Sequence, residues 1–188
     1  MKKKYVVLSI AIALISLYAA YFYGHGNDGT YKIKDGAGYY RNNSGRFEMK
    51  ISYDTAGKAY IIDMTAKANG WISVGFGRTK MMKDAEIFMG YVKDGKGYLS
   101  HEYGVGVVKH KPIKELDSSI KNDLITIVSA KEENGITKIV VKRPIEAAGK
   151  YYKKFESGKK MEFMYGISNK DDITVKHAER GAFDIVLP

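Results

Sequence analysis

Four histidines and eight methionines are the usual nitrogen and sulfur metal donors of this 188-residue chain, which contains no cysteine. That absence removes disulfides, thiolate zinc sites, iron–sulfur clusters, cysteine nucleophiles and covalently attached c-type haem. His25 lies in a polar stretch near the N-terminus. His101 and His110 lie in or beside a polar central segment, where a surface histidine is the ordinary reading. His177 differs in preceding Gly181 and the last apolar run. Met81 and Met82 occupy the glycine-rich turn of residues 71–92, WISVGFGRTKMMKDAEIFMGYV. Taken singly, His177 reads as a structural or surface histidine, and Met82 as a core methionine filling a gap.

Other constellations are weaker. Gly75-Phe76-Gly77 opens like a dinucleotide fingerprint, but the third glycine is missing and no long helix follows. Asp171-Asp172 sits in a polar loop, where paired acids are ordinarily solvated. No phosphate-binding lysine loop and no serine nucleophile elbow is present, so hydrolytic catalysis has no support.

The elements that would carry these residues are short strands. Residues 46–53, RFEMKISY, place Phe47, Met49, Ile51 and Tyr53 on one face and Glu48, Lys50 and Ser52 on the other. Further strands are expected at 59–66, 71–76, 85–92, 97–100, 124–131, 136–142, 160–167 and 182–187. Turns at Asn69-Gly70, Asp94-Gly95 and Asn134-Gly135 separate several of them. The 71–76 run reads as buried on both faces, 101–122 as a long loop with one helical turn, and 145–157 as a short helix or excursion. Regular short strands without a βαβ pattern predict an all-β, antiparallel, immunoglobulin-like β-sandwich over residues 46–188.

Before the sandwich come two other segments. Lys2, Lys3 and Lys4 precede an uncharged run at 5–23, long enough as a helix to cross ~30 Å of hydrocarbon. Residues 1–24 are therefore expected to be a signal anchor or a cleaved signal peptide. The lysines would stay on the cytoplasmic side and the domain would face outward. Residues 25–45 read as a polar tether with a short edge strand at 31–34.

The formal net charge of +10 suits an anionic membrane surface or an acidic partner. The lysines are scattered and form no arginine-rich helix or RNA-binding signature, so nucleic acid is not expected.

Gly70-Trp71, Val74-Gly75-Phe76-Gly77, Met82, Asp84-Ala85-Glu86 and Gly90-Tyr91 occur in that order. Lys142-Arg143-Pro144, Tyr165-Gly166, His177, Arg180-Gly181 and Leu187 follow. Over residues 47–187 this resembles the DOMON family, which includes the cytochrome domain of cellobiose dehydrogenase and the DOMON parts of cytochrome b561 fusions. The resemblance implies a non-covalent haem b held by Met82 and His177, which gives six-coordinate iron suited to electron transfer rather than catalysis. Phe76, Met81, Met89, Tyr165 and Phe183 are the expected pocket walls, with Arg180 or Lys176 pairing a propionate. Lys176 is also an outside ligand candidate, since a related haem subunit uses lysine. Glu86 stands where the family usually has aspartate. The implied role is an exported, membrane-anchored cytochrome domain with a redox partner protein or membrane electron carrier. The alternative is a haem-free module binding a carbohydrate or other small ligand.

Overall fold

The computed structural model describes residues 28–120, 124–147 and 149–188. The expected N-terminal helix lies outside them. Among the described residues no helix is long and apolar enough to cross a membrane.

Among the described residues there are twelve strands: β1 Gly29–Lys34, β2 Ala37–Asn42, β3 Phe47–Asp54, β4 Ala59–Ala66, β5 Ile72–Phe76 and β6 Glu86–Lys93. They continue with β7 Lys96–Gly106, β8 Lys109–Pro112, β9 Thr126–Glu133, β10 Ile136–Pro144, β11 Lys160–Ile167 and β12 Glu179–Val186. Two six-stranded sheets result, in the orders β1-β2-β3-β4-β10-β9 and β12-β11-β5-β6-β7-β8. Every pairing is antiparallel. Three hairpins turn on two residues, Asp35-Gly36, Asp94-Gly95 and Asn134-Gly135. Both central residues have positive φ in each, as the twist of an antiparallel ribbon prefers.

The alternation of β3 buries Phe47, Met49 and Ile51 and leaves Glu48 and Lys50 in water. Ile72, Val74, Phe76, Phe88, Phe163, Tyr165, Phe183 and Ile185 meet them from the second sheet. Two aromatic stacks bridge the layers. Tyr40 lies on Phe183 with centroids 3.5 Å apart, and Phe47 on Tyr165 at 4.5 Å. Such pairs add about 0.5–1.5 kcal/mol beyond the burial of their area.

Inside the sandwich, Glu86 and Arg143 form a bidentate pair, with Nε to Oε1 at 3.1 Å and Nη2 to Oε2 at 3.0 Å. Glu86 also accepts the Lys153 N–H at 2.5 Å, and Arg143 lies over the Phe155 ring, 4.3 Å from its centroid. Both ions are withdrawn from water, so each depends on the other for its compensation. The pair fastens the 145–157 excursion to the sheets.

Within the segment expected as a tether at 25–45, the edge strand expected at 31–34 lies in β1, and β2 joins it to the sheet beside β3. β2 was not expected, because glycine and polar residues accompany its inner side of Ala37, Tyr40 and Asn42. The long loop expected at 101–122 is shorter, because β7 runs on to Gly106 and β8 pairs back on it. A single helical turn, Ile113–Leu116, follows. His101 is buried, not superficial, with its ring 5.2 Å from Phe88 and Nε2 3.3 Å from Glu86.

Candidate functional site

The second sheet has two faces, and they divide the expected site residues. Phe76, Tyr165 and Phe183 share the parity of Ile72, Val74 and Phe88, and all point into the inter-sheet core. Phe76, Tyr165 and Phe183, expected as pocket walls, thus lie in the packing between the sheets. The reason is the strict alternation of side chains along a strand. Residues of the opposite parity form the outer face: Ser73 and Gly75 on β5, Ile87 and Met89 on β6, Met164 and Gly166 on β11.

That outer face carries its own apolar cluster. Trp71, Ala85, Ile87 and Met89 are buried together, with Tyr91, Met164 and Ile173 packed against them. The floor is low. The Met164 methyl lies over Gly75, and the Trp71 ring lies over Gly166.

Two loops reach this cluster from opposite ends of the sheet. The 77–85 loop leaves β5 at Phe76, which pairs with Glu86. The 168–178 loop leaves β11 at Ile167, which pairs with Ile72. The span from Ile72 to Phe76 is four residues, about 13 Å of strand.

The first loop holds Met82. Its base is fixed by Arg78, which donates to Glu162 on β11 at 2.8 and 2.5 Å. Thr79 Oγ1 donates to Asp84 at 2.5 Å, and the Thr79 N–H to the Lys83 carbonyl at 2.9 Å. Met82 N–H donates to Val107 O at 3.3 Å, and Met82 O accepts from Ala85 N–H at 3.0 Å. Met82 is half-buried, whereas Met81 has φ of 52° and is 39% exposed.

The second loop holds His177. Trp71 organises it: its N–H donates to Lys170 O at 3.0 Å, its carbonyl accepts from Ser168 N–H at 2.8 Å, and its indole Nε1–H donates to Val175 O at 3.2 Å. Gly70 is required because the Lys170 backbone nitrogen lies 2.2 Å from where a Cβ would stand. Asp172 caps a turn through Thr174, at 2.9 Å to its N–H and 2.6 Å to its hydroxyl, which gives this acid a structural task.

His177 is half-buried. Burial pushes its pKa below the usual histidine value. Arg180 and Lys176 act in the same direction, and a hydrogen bond to its own backbone opposes them. The neutral imidazole favoured in this way is the form that coordinates metals. Arg180 faces Gly166 across the β11–β12 pair and is exposed at the rim. Met82 and His177 are half-buried in these two loops, Met89 is buried in the apolar cluster, and Met81, Lys176 and Arg180 are exposed.

The sequence reading did not single out Trp71, Ser73, Gly75, Ile87, Met164 or Ile173 as site residues. Their signal was the parity opposite to Phe76 and Phe88. It also took no notice of Glu102, a buried carboxylate on β7 that accepts from Ser100 Oγ at 2.9 Å and contacts His110 Nδ1.

The profile of the DOMON domain matches residues 42–168, two thirds of the chain. The chain belongs to the DOMON domain family. The match includes Met82 and ends before His177. Among solved structures, the cytochrome domain of Myriococcum thermophilum cellobiose dehydrogenase superposes with a TM-score of 0.57 at 12% identity, covering 87% of this chain and 90% of that one. The cytochrome b domain of Coprinopsis cinerea pyranose dehydrogenase gives 0.54 at 14%, covering 84% and 80%. At such identities the likeness is one of fold. No curated protein matches the chain by sequence.

The donor chemistry of the two loops fits a haem. A macrocycle brings four nitrogens of its own and asks the protein for only two donors. The 77–85 loop carries the thioether of Met82, the 168–178 loop the imidazole of His177, and Arg180 is exposed on β12.

Proposed function

We propose that this DOMON domain is a b-type cytochrome domain that passes electrons, with Met82 and His177 as the axial ligands. The observation carrying the reading is that their loops, rooted at opposite ends of β5, both attach to the Trp71–Ala85–Ile87–Met89 cluster on one outer face. Haem bound there would supply a one-electron couple, and thioether ligation favours its ferrous state. The protein's part is to exclude water with Trp71, Ile87, Met89 and Ile173, to present a neutral His177, and to offer Arg180 to a propionate. Were Met82 and His177 both to hold the iron, small substrates would find no open position on it, which would favour electron transfer over catalysis.

The same reading includes export, with residues 1–24 as anchor or signal and the domain on the outer face of the membrane. A protease-protection assay on intact cells tests this. Loss of the domain's signal to external protease is expected, and full protection would contradict it.

The electron-transfer reading is tested by titrating haem into the purified apo-domain. One-to-one binding, with sharp low-spin bands that resolve on reduction, is expected. A folded domain that leaves the haem spectrum unchanged would overturn it.

One observation favours a carbohydrate-binding alternative. Tyr91 and Tyr98 stack at 4.9 Å, and Tyr98 is 37% exposed, so the pair offers a flat ring to a sugar. Saturation of a sugar-binding isotherm that Tyr98→Ala abolishes would support it.

A further inference from the structure

The tip of the β7–β8 hairpin is built against expectation for a water-facing turn. Val105, Val107 and Val108 are 44%, 39% and 62% exposed, and Met81 beside them is 39% exposed. The four belong to one patch, because the Met82 N–H donates to Val107 O and the Asp84 N–H to Gly104 O. Exposed aliphatic side chains clustered in this way mark an interaction surface more often than scattered ones do.

The patch has a lysine-rich border. Lys80, Lys83, Lys109 and Lys111 are all exposed. The acids nearby each have a hydrogen-bond or ion-pair partner. Asp84 accepts from Thr79, Glu162 is paired with Arg78, and Glu102 is buried against Ser100 and His110. A small apolar centre inside a lysine ring suits a short-lived complex with a protein carrying carboxylates around an apolar spot. Opposite charge gathers the partner and the apolar centre excludes water at contact. Electron-transfer complexes sit at the small end of the interface range.

Orientation within the fold supports a protein over a lipid surface. The described chain begins at Asp28, whose carboxylate accepts from the Tyr165 hydroxyl at 2.6 Å and whose N–H reaches the Ala182 carbonyl. β1 then starts opposite Asn42, which bonds Glu179 at the His177 end of the second sheet. The valine tip is at the Met82 end. A domain tethered through its N-terminus would present that tip away from the tether.

We infer that the Met81–Val105–Val107–Val108 patch, with Lys80, Lys83, Lys109 and Lys111, is the docking surface for an acidic electron-transfer protein. This rests on the cytochrome reading for its purpose, since the patch backs onto the turn that carries Met82. The docking itself needs no haem.

The test uses an acidic flavodoxin as probe and amide chemical shifts of the isotope-labelled full chain as readout. At low salt, shifts confined to residues 79–84 and 104–111 are expected, fading as the Debye length shrinks from about 30 Å to about 8 Å. Reversing the four lysines to glutamate should weaken binding at least about tenfold. Reversing Lys32, Lys34, Lys131 and Lys138, which changes net charge equally, should leave binding within about twofold. Shifts elsewhere, no shifts at low salt, or equal loss in the two variants would overturn the proposal. Sedimentation with vesicles of phosphatidylglycerol and phosphatidylcholine is the second arm. Binding there that Val107→Ser/Val108→Ser abolishes, without flavodoxin shifts, would overturn it in favour of a lipid surface. Failure of the cytochrome reading appears separately, as absence of a haem spectrum while the shift map persists.

Discussion

The carbonyl oxygen of Met82 lies 1.6 Å from where a Cβ on residue 104 would stand, and its carbonyl carbon lies 2.6 Å away. Gly104 is thus the seat of the Met82 turn. The obstructing atoms are backbone, so no rotamer change relieves the clash. Gly104→Ala should displace the turn while the sandwich persists, at a cost of about 1–3 kcal/mol for overpacking. Far-UV circular dichroism should stay unchanged while haem affinity falls at least tenfold. Unaltered haem affinity in the folded variant would detach Met82 from the site.

The Glu86–Arg143 pair makes a second prediction. Its carboxylate accepts from both the guanidinium and the Lys153 N–H, and neither ion reaches water. Arg143→Met leaves a buried carboxylate uncompensated and should cost about 3–5 kcal/mol in denaturant unfolding. Glu86→Asp keeps the charge but shortens the reach, so it should cost less, and its penalty should largely vanish in the Arg143→Met background. Additive losses in that double-mutant cycle would mean the two side chains act separately.

How much of this could be read from the chain varies by element. β11 at Lys160–Ile167 was legible, because Met161, Phe163 and Tyr165 recur at every second position of an eight-residue run. Asp94-Gly95 and Asn134-Gly135 announced their hairpins, since two successive positive φ angles suit few other pairs. β1 was read in part, as the edge strand at 31–34, whereas β2 was hidden, because a short stretch with a glycine and polar residues looks like a linker until its partner is known. His101 was misjudged for a related reason. The stretch beyond Ser100 is too glycine-rich to show alternation, so its parity with Phe88 emerges only from the register. The methionine turn and the terminal histidine were legible through family resemblance. Their floor was not, because a strand buried on both faces gives no hint of which face is core.

Trp71 makes a third prediction, since its indole Nε1–H holds Val175 O over the outer face. Trp71→Phe keeps most of the apolar area and removes that hydrogen bond, which costs about 1 kcal/mol. The 168–178 loop should loosen first, so amide exchange at 172–178 should quicken more than at β3. Equal quickening throughout would show that the bond is merely global.

The imidazole of His177 supplies a pH prediction. Burial, together with Arg180, holds its folded pKa below the unfolded value of about 6.5. The unfolded chain therefore takes up the proton first. The stability cost is absent above about pH 6.5, grows as pH falls towards the folded value, and is complete below it. His177→Gln should flatten that part of the stability profile in the apo-protein. An imidazole titrating at or above the ordinary histidine value, by nuclear magnetic resonance, would contradict the burial argument.

The most direct test of the account compares oxidised and reduced absorption spectra of the haem-loaded domain with those of Met82→Ala, His177→Ala and Met81→Ala. The account predicts loss of the six-coordinate low-spin spectrum in the first two variants and its retention in the third, whose side chain points to solvent. An unchanged spectrum in folded Met82→Ala or His177→Ala would contradict it, and so would loss of the spectrum in Met81→Ala alone.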